Sequence, residues 1–275
     1  QRWVNLGFVR LQPSELAKIA VVLALAMYYD WLSPEKVSRP FWVILPLILT
    51  LIPAGLTFVQ PDLGTSLLIL ASGGVIMFLA GVSIWYFIAA IVSVVGVVSA
   101  VLLSWGTSWQ LLKDYQYRRI ETFLNPELDP LGSGYHISQS KIALGSGGFN
   151  GRGFMEGTQT RLNFLPEKHT DFIFTTLAEE FGYVGTSFLL LLYALIIAFC
   201  VHAMLINRDR FGALLIGGVA ATFFFYFAIN MGMVMGLLPV VGVPLPLVSY
   251  GGSAMMVLLG AFGLVQSAHI HRPRG

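Results

Sequence analysis

Seven long, nearly uninterrupted apolar stretches leave this chain little choice of architecture. They run over about residues 13–31, 41–59, 63–80, 84–105, 172–204, 212–235 and 249–268 of the 275. A helix that crosses the hydrocarbon core of a bilayer needs about 20 such residues. The runs are too long and too continuous for the alternating pattern of a barrel strand, so the period predicted is helical. Only 11% of the residues are charged, against roughly 25% in ordinary soluble domains. A soluble globular enzyme and a disordered chain are thereby excluded, and a net charge of +2 excludes a basic binder of nucleic acid. The single cysteine, Cys200, rules out a disulfide framework. The class predicted is an all-α polytopic membrane protein with seven transmembrane helices, forming one domain over 1–275.

Charge sets the orientation. If the spans are counted through, Lys36, Arg39, Arg208, Arg210, Arg272 and Arg274 share one side, and the other side has only Arg2 and Arg10 outside its long loop. The positive-inside rule then puts the C-terminus in the cytoplasm and residue 1 outside. The segment 106–170 falls outside as a long extracytoplasmic loop holding seven Lys/Arg and six Asp/Glu. Within it, residues 135–144 read as a short amphipathic helix and Gly145 to Gly153 as a glycine-rich turn. No strand or βαβ unit surrounds that turn, so it is no dinucleotide fingerprint. It reads as a plain turn, or as backbone N–H groups that join Arg152 in holding a phosphate.

Ionisable groups at the mouth of a span are functional candidates by default. Glu15 and Lys18 open the first span, Asp62 follows the second, and Asp171 opens the fifth beside His169. All four fall at the outer surface in this topology, so helices remote in sequence bring charge to one face. Each has a plainer reading. Glu15 and Lys18 form a local pair one helical turn apart, Asp62 caps the helix after a proline turn, and Asp171 caps the long helix after it. Glu179 and Glu180 lie about 12 Å deeper at 1.5 Å per residue, too far to pair with Asp171 as in a retaining glycosidase; they read as packing anchors. Three prolines, Pro239, Pro244 and Pro246, force an irregular re-entry before Ser249. Backbone of that kind at membrane depth is tolerated only when buried or lining a wet cavity.

Four ordered motifs resemble the SEDS family (shape, elongation, division and sporulation). They are Gln12-Pro13-Ser14-Glu15-Leu16-Ala17-Lys18, Gln60-Pro61-Asp62-Leu63-Gly64-Thr65, His169-Thr170-Asp171-Phe172 with Glu179-Glu180, and Pro244 through Ser253. Asp129-Pro130-Leu131-Gly132 and Leu165-Pro166-Glu167 make the elongation branch a better match than the division branch. The resemblance implies a fold of about ten spans, with three expected before Gln1. It implies a multi-pass protein of the bacterial inner membrane, with its active site facing the periplasm. The activity implied is peptidoglycan glycosyltransfer, polymerising lipid II into glycan strands. The partners implied are a class B penicillin-binding protein, the elongation machinery and membrane lipids. By the family's motif Asp171 is the essential carboxylate and general base, with Glu15 and Lys18 lining its cavity. Asp62, Arg10, Arg152, His169 and Ser249 are the further substrate-binding candidates. A divalent cation, Mg or Mn, is a family expectation, with no ligand residues assigned. Two other readings stay open on the residues alone: a lipid II flippase, which would carry polar groups through to the cytoplasmic side, and a non-catalytic scaffold.

Overall fold

The computed structural model describes residues 4–5, 10–107, 109–111, 117, 121, 133–158 and 169–273, with Asn5, Arg10, Ser133 and His136 described by their backbone alone. A two-residue antiparallel pair, β1 (Val4–Asn5) and β2 (Arg10–Leu11), precedes eight α-helices among these residues. They are α1 Pro13–Trp31, α2 Pro40–Val59, α3 Leu63–Leu79, α4 Ile84–Leu103, α5 Ser133–Ser146, α6 Ile173–Ile206, α7 Arg210–Val234 and α8 Gly252–Ile270. Each apolar stretch in the sequence has become one helix, with ends within a few residues of those predicted. α2, α4, α6, α7 and α8 are long and apolar enough to cross a membrane. The other two are marginal by that standard, since α3 has 17 residues and α1 carries Glu15, Lys18 and Asp30.

Local chemistry accounts for the helix starts. α1 and α2 begin on prolines, whose missing N–H costs nothing in a first turn. The Asp62 carboxylate caps α3 by accepting from the Thr65 N–H at 3.1 Å, and Asp209 caps α7 through the Gly212 N–H at 2.8 Å.

The centre of the bundle is α7, which packs against α1, α3, α6 and α8. Small residues permit this. A Cβ added at Gly218 would lie 2.7 Å from both Ile76 on α3 and Val22 on α1, so the glycine lets three helices meet closely. Around it Leu25, Ala26, Ile69, Ile76, Ile216 and Val219 form the main core. At one end of the bundle the Arg210 guanidinium donates to the Leu32 and Ala80 carbonyls at 2.7 and 3.3 Å. A cation thus meets the negative ends of α1 and α3 together. By contrast, α4 has no buried residue.

One expectation is corrected. The stretch 172–204 is not a single rod: α6 is broken at Gly182 (φ 62°, ψ −157°). The glycine run repairs the break. Arg152 N–H and Gly153 N–H donate to the Glu179 and Glu180 carbonyls at 3.0 Å each, while Gly148 and Phe149 carbonyls accept from Tyr183 and Val184 N–H at 3.0 and 3.1 Å. The loop therefore supplies the hydrogen bonds that the helix interior loses at the kink, as buried backbone requires. Helix α5 anchors this splint from its other side, its Ser140 hydroxyl meeting Thr175 Oγ1 and the Val234 carbonyl, both at 2.9 Å.

Candidate active site

At the end of the bundle opposite Arg210 lies a cavity of about 470 Å³. Its wall is assembled from the start of α1 (Gln12, Glu15, Lys18), the α2–α3 junction (Asp62, Thr65), the turn before α6 (Thr170, Asp171), Tyr226 of α7, the proline segment (Val241 to Pro244) and the start of α8. Glu15, Lys18, Asp62 and Asp171 come from three separate stretches of chain and line one space.

Lys18 is the chemical centre of the inner wall. It is only 1% exposed, and a cation so buried needs partners. Its Nζ donates to Glu15 Oε1 at 2.7 Å and also to the Tyr226 hydroxyl. Tyr226 donates in turn to Glu15 Oε2 at 2.7 Å, and Lys18 Nζ sits 4.3 Å from the Tyr226 ring centroid. The local pair read from the sequence exists, but it is closed into a triad by a residue more than 200 positions away. Tyr226 escaped the sequence reading because an aromatic residue in an apolar helix looks like core. The only signal was its place in the series Thr222, Tyr226, Asn230, which puts polar groups on one face of α7.

Asp62 is both a cap and a wall residue. One oxygen holds the Thr65 N–H, and the other accepts from Gln12 Nε2 at 3.0 Å. Gly64 beside it is required for closure: a Cβ there would lie 2.4 Å from Val243 Cγ2 and 2.8 Å from the Val241 carbonyl oxygen. This contact seats the proline segment on the first turn of α3, and that non-helical segment walls the cavity.

The turn carrying Asp171 is clamped through its backbone. Three consecutive carbonyls are each held by a different donor: His169 by the Tyr250 N–H at 2.9 Å, Thr170 by the Ser249 hydroxyl at 2.6 Å, and Asp171 by the Asn230 amide at 2.7 Å. The Asp171 side chain faces the proline segment, where a Cβ at Gly242 would meet its Oδ2 at 3.4 Å.

Three candidates stand elsewhere. Ser249 also accepts from the Leu245 N–H at 2.7 Å, so its hydroxyl serves as a strut in the protein and does not line this cavity. Arg152 is exposed on the splint, donating to the Ser146 carbonyl at 3.3 Å and to Thr158 Oγ1 at 3.1 Å. The N–H groups of Gly151, Arg152 and Gly153 are already bonded within the protein, so these three are spent on the fold. His169 lines an adjoining open groove with Ile173, Tyr250 and Met255. The side chain of Arg10 lies outside the described residues. Glu179 and Glu180 are buried at the kink, and Glu179 accepts from the Thr158 hydroxyl at 3.2 Å; this agrees with packing anchors.

Among the described residues no three His, Cys, Asp or Glu side chains come together as a metal cage. Magnesium commonly binds through one or two carboxylates together with substrate phosphates. Asp62 and Asp171 are both carboxylates of this cavity's wall.

The family model described as a cell cycle protein, FtsW/RodA/SpoVE, matches residues 1–274. The chain belongs to this family, the SEDS proteins. The peptidoglycan glycosyltransferase MrdB of Escherichia coli K12 is 50% identical over 273 residues, which are 99% of this chain and 71% of that relative. The peptidoglycan glycosyltransferase RodA of Treponema pallidum is 34% identical, covering 96% of this SEDS chain and 76% of its own. Among solved structures, a chain from a peptidoglycan synthase complex that coordinates polymerization and crosslinking superposes with a TM-score of 0.82 at 33% identity, covering 100% of this chain and 74% of that one. The rod shape determining protein RodA of Thermus thermophilus gives 0.66 at 29% identity, covering 100% and 71%.

Proposed function

We propose that this SEDS-family peptidoglycan glycosyltransferase polymerises lipid II into glycan strands during cell elongation, with Asp171 as the general base. The observation that carries the reading is one cavity holding a clamped carboxylate on one wall and a buried lysine on another. Joining two sugars requires removal of a proton from the acceptor hydroxyl as its oxygen bonds to the donor's anomeric carbon. It also requires positive charge near the diphosphate that departs with the bonding electrons. Asp171 is suited to the first task and Lys18 to the second, with Glu15 and Tyr226 fixing the ammonium. A carboxylate and a good leaving group suffice for a single inverting displacement. A divalent cation shared by the diphosphate and the wall carboxylates would add to the neutralisation of charge.

The site is read as periplasmic, with seven spans in this chain and the C-terminus in the cytoplasm. Lys36, Arg39, Arg208, Arg210 and Arg272 belong to the turns and helix ends at the far end of the bundle, in keeping with the positive-inside rule. The polyprenyl tail would then stay in lipid while its head group enters the cavity. The likeness to a chain of a synthase complex supports a crosslinking partner, a class B penicillin-binding protein.

The test uses full-length protein with that transpeptidase and purified lipid II in detergent. Glycan polymer on a gel is the expected result. Transfer of lipid II across vesicles without polymer would instead establish the flippase.

Tyr226→Phe probes the triad while keeping the ring. Hydrogen bonds to charged groups are worth about 1.5–3 kcal/mol, so the initial polymerisation rate at saturating lipid II is expected to fall roughly tenfold or more. An unchanged rate would show that Glu15 alone positions Lys18.

A further inference from the structure

We infer that Asn230 is a positioning residue that fixes the Asp171 carboxylate relative to the Lys18 ammonium; this rests on the reading of Asp171 as the base. Asn230 is completely buried. Its Nδ2 donates to the Asp171 carbonyl and the Val243 carbonyl, each at 2.7 Å. Two acceptors on one nitrogen consume both of its hydrogens and fix the amide's orientation, because the flipped amide would set oxygen against oxygen.

The other end of the side chain is the telling one. Oδ1 of Asn230 is buried with no hydrogen-bond partner among the described residues. A buried orphan acceptor is a cost that an apolar residue of similar size would avoid. What the side chain contributes is its pair of N–H groups, and both go to backbone that walls the cavity.

What this tie governs follows from the helix that carries it. The neighbouring clamps, Ser249 and Tyr250, fasten the turn to the proline segment and act on Thr170 and His169. Asn230 acts on the peptide of Asp171 itself and fastens it to α7. One turn earlier on the same face of α7 stands Tyr226, which holds Lys18. A single rigid turn thus spans the distance between base and cation. Reacting groups have to be held closely in register, and an error of about 1 Å can cost on the order of 100-fold in rate.

The test measures lipid II polymerisation by the full chain with its transpeptidase partner, across lipid II concentrations, for Asn230→Ala, Asn230→Leu and Asn230→Asp. Expected is a fall in kcat of about 10–100-fold with KM within about twofold, in protein that still purifies with its partner. Asn230→Asp should be worse than Asn230→Leu, because a carboxylate repels both carbonyls although it matches asparagine in shape; a role in packing alone would reverse that order. Combining Asn230→Ala with Asp171→Asn should cost no more than Asp171→Asn by itself. If the Asn230 variants do not fold, Ser249→Ala releases the adjacent carbonyl and should lower kcat, by less, with KM kept. A raised KM with kcat unchanged, a further loss on top of Asp171→Asn, or wild-type rates in folded variants would overturn the inference. Wild-type rates in Asp171→Asn would instead remove the base assignment itself.

Discussion

Asp171→Asn is expected to abolish glycan synthesis while leaving the fold intact. The substitution keeps the shape of the side chain, and the clamps from Tyr250, Ser249 and Asn230 each end on a backbone carbonyl, so these three survive. What disappears is the proton acceptor. General-base catalysis typically contributes about 10²–10⁴-fold, and the polymerisation rate should drop by at least the lower figure. Because Lys18, Glu15 and Tyr226 are untouched, affinity for lipid II should stay close to that of the unaltered protein. Equal polymer from both proteins, measured as glycan chains formed from purified lipid II, would defeat the assignment.

The second large effect concerns the splint and is one of stability. In Gly151→Ala the new Cβ would lie 2.1 Å from the Glu180 carbonyl oxygen and 2.5 Å from its carbon. Backbone on both sides leaves nothing to rotate away. The residue also has φ +80°, where an L side chain is strained by about 1–3 kcal/mol. Overpacking adds about 1–3 kcal/mol, for a loss of roughly 2–6 kcal/mol together. The expected result is a sharply lowered thermal midpoint in detergent. Gly145→Ala is the control, since a Cβ there meets nothing within 4 Å. Matching midpoints for the two variants would mean that the loop does not brace α6. The kink lies about two and a half turns into the helix that starts just after Asp171, so a loosened splint is expected to lower activity as well.

The two effects separate what can be read along a chain from what cannot. The helices were legible because a bilayer demands about 20 apolar residues per crossing, and that demand is written locally. Asp62 as a helix cap and Glu15–Lys18 as a pair were legible for the same reason: both are relations within one turn. Clustering of the charges at one end was legible from topology, since alternate helix ends share a face. Motifs supplied the family, and with it the weight given to Asp171.

The break in α6 was not legible, because Gly182 inside an apolar run has the composition of a helix. It becomes a kink only where a second segment offers replacement hydrogen bonds. Arg152 misled for a related reason. An arginine in a glycine run suits an anion, yet here the N–H groups of Arg152 and Gly153 are spent on the Glu179 and Glu180 carbonyls. The Ser249 hydroxyl likewise takes its partners from the fold, the Leu245 N–H and the Thr170 carbonyl.

By itself, then, the sequence determined which segments are helices, which family they form and which end of the bundle carries the charge. Apolar length, capping and charge asymmetry act over a few residues and need no knowledge of neighbours. Only the tertiary structure decided which polar groups face the cavity and which are used up holding the backbone. Tyr226 and Asn230 close their bonds with partners 208, 211, 59 and 13 positions away. A buried polar group takes its role from whatever partner the packing brings to it, and that partner is not specified by the residues beside it in the chain.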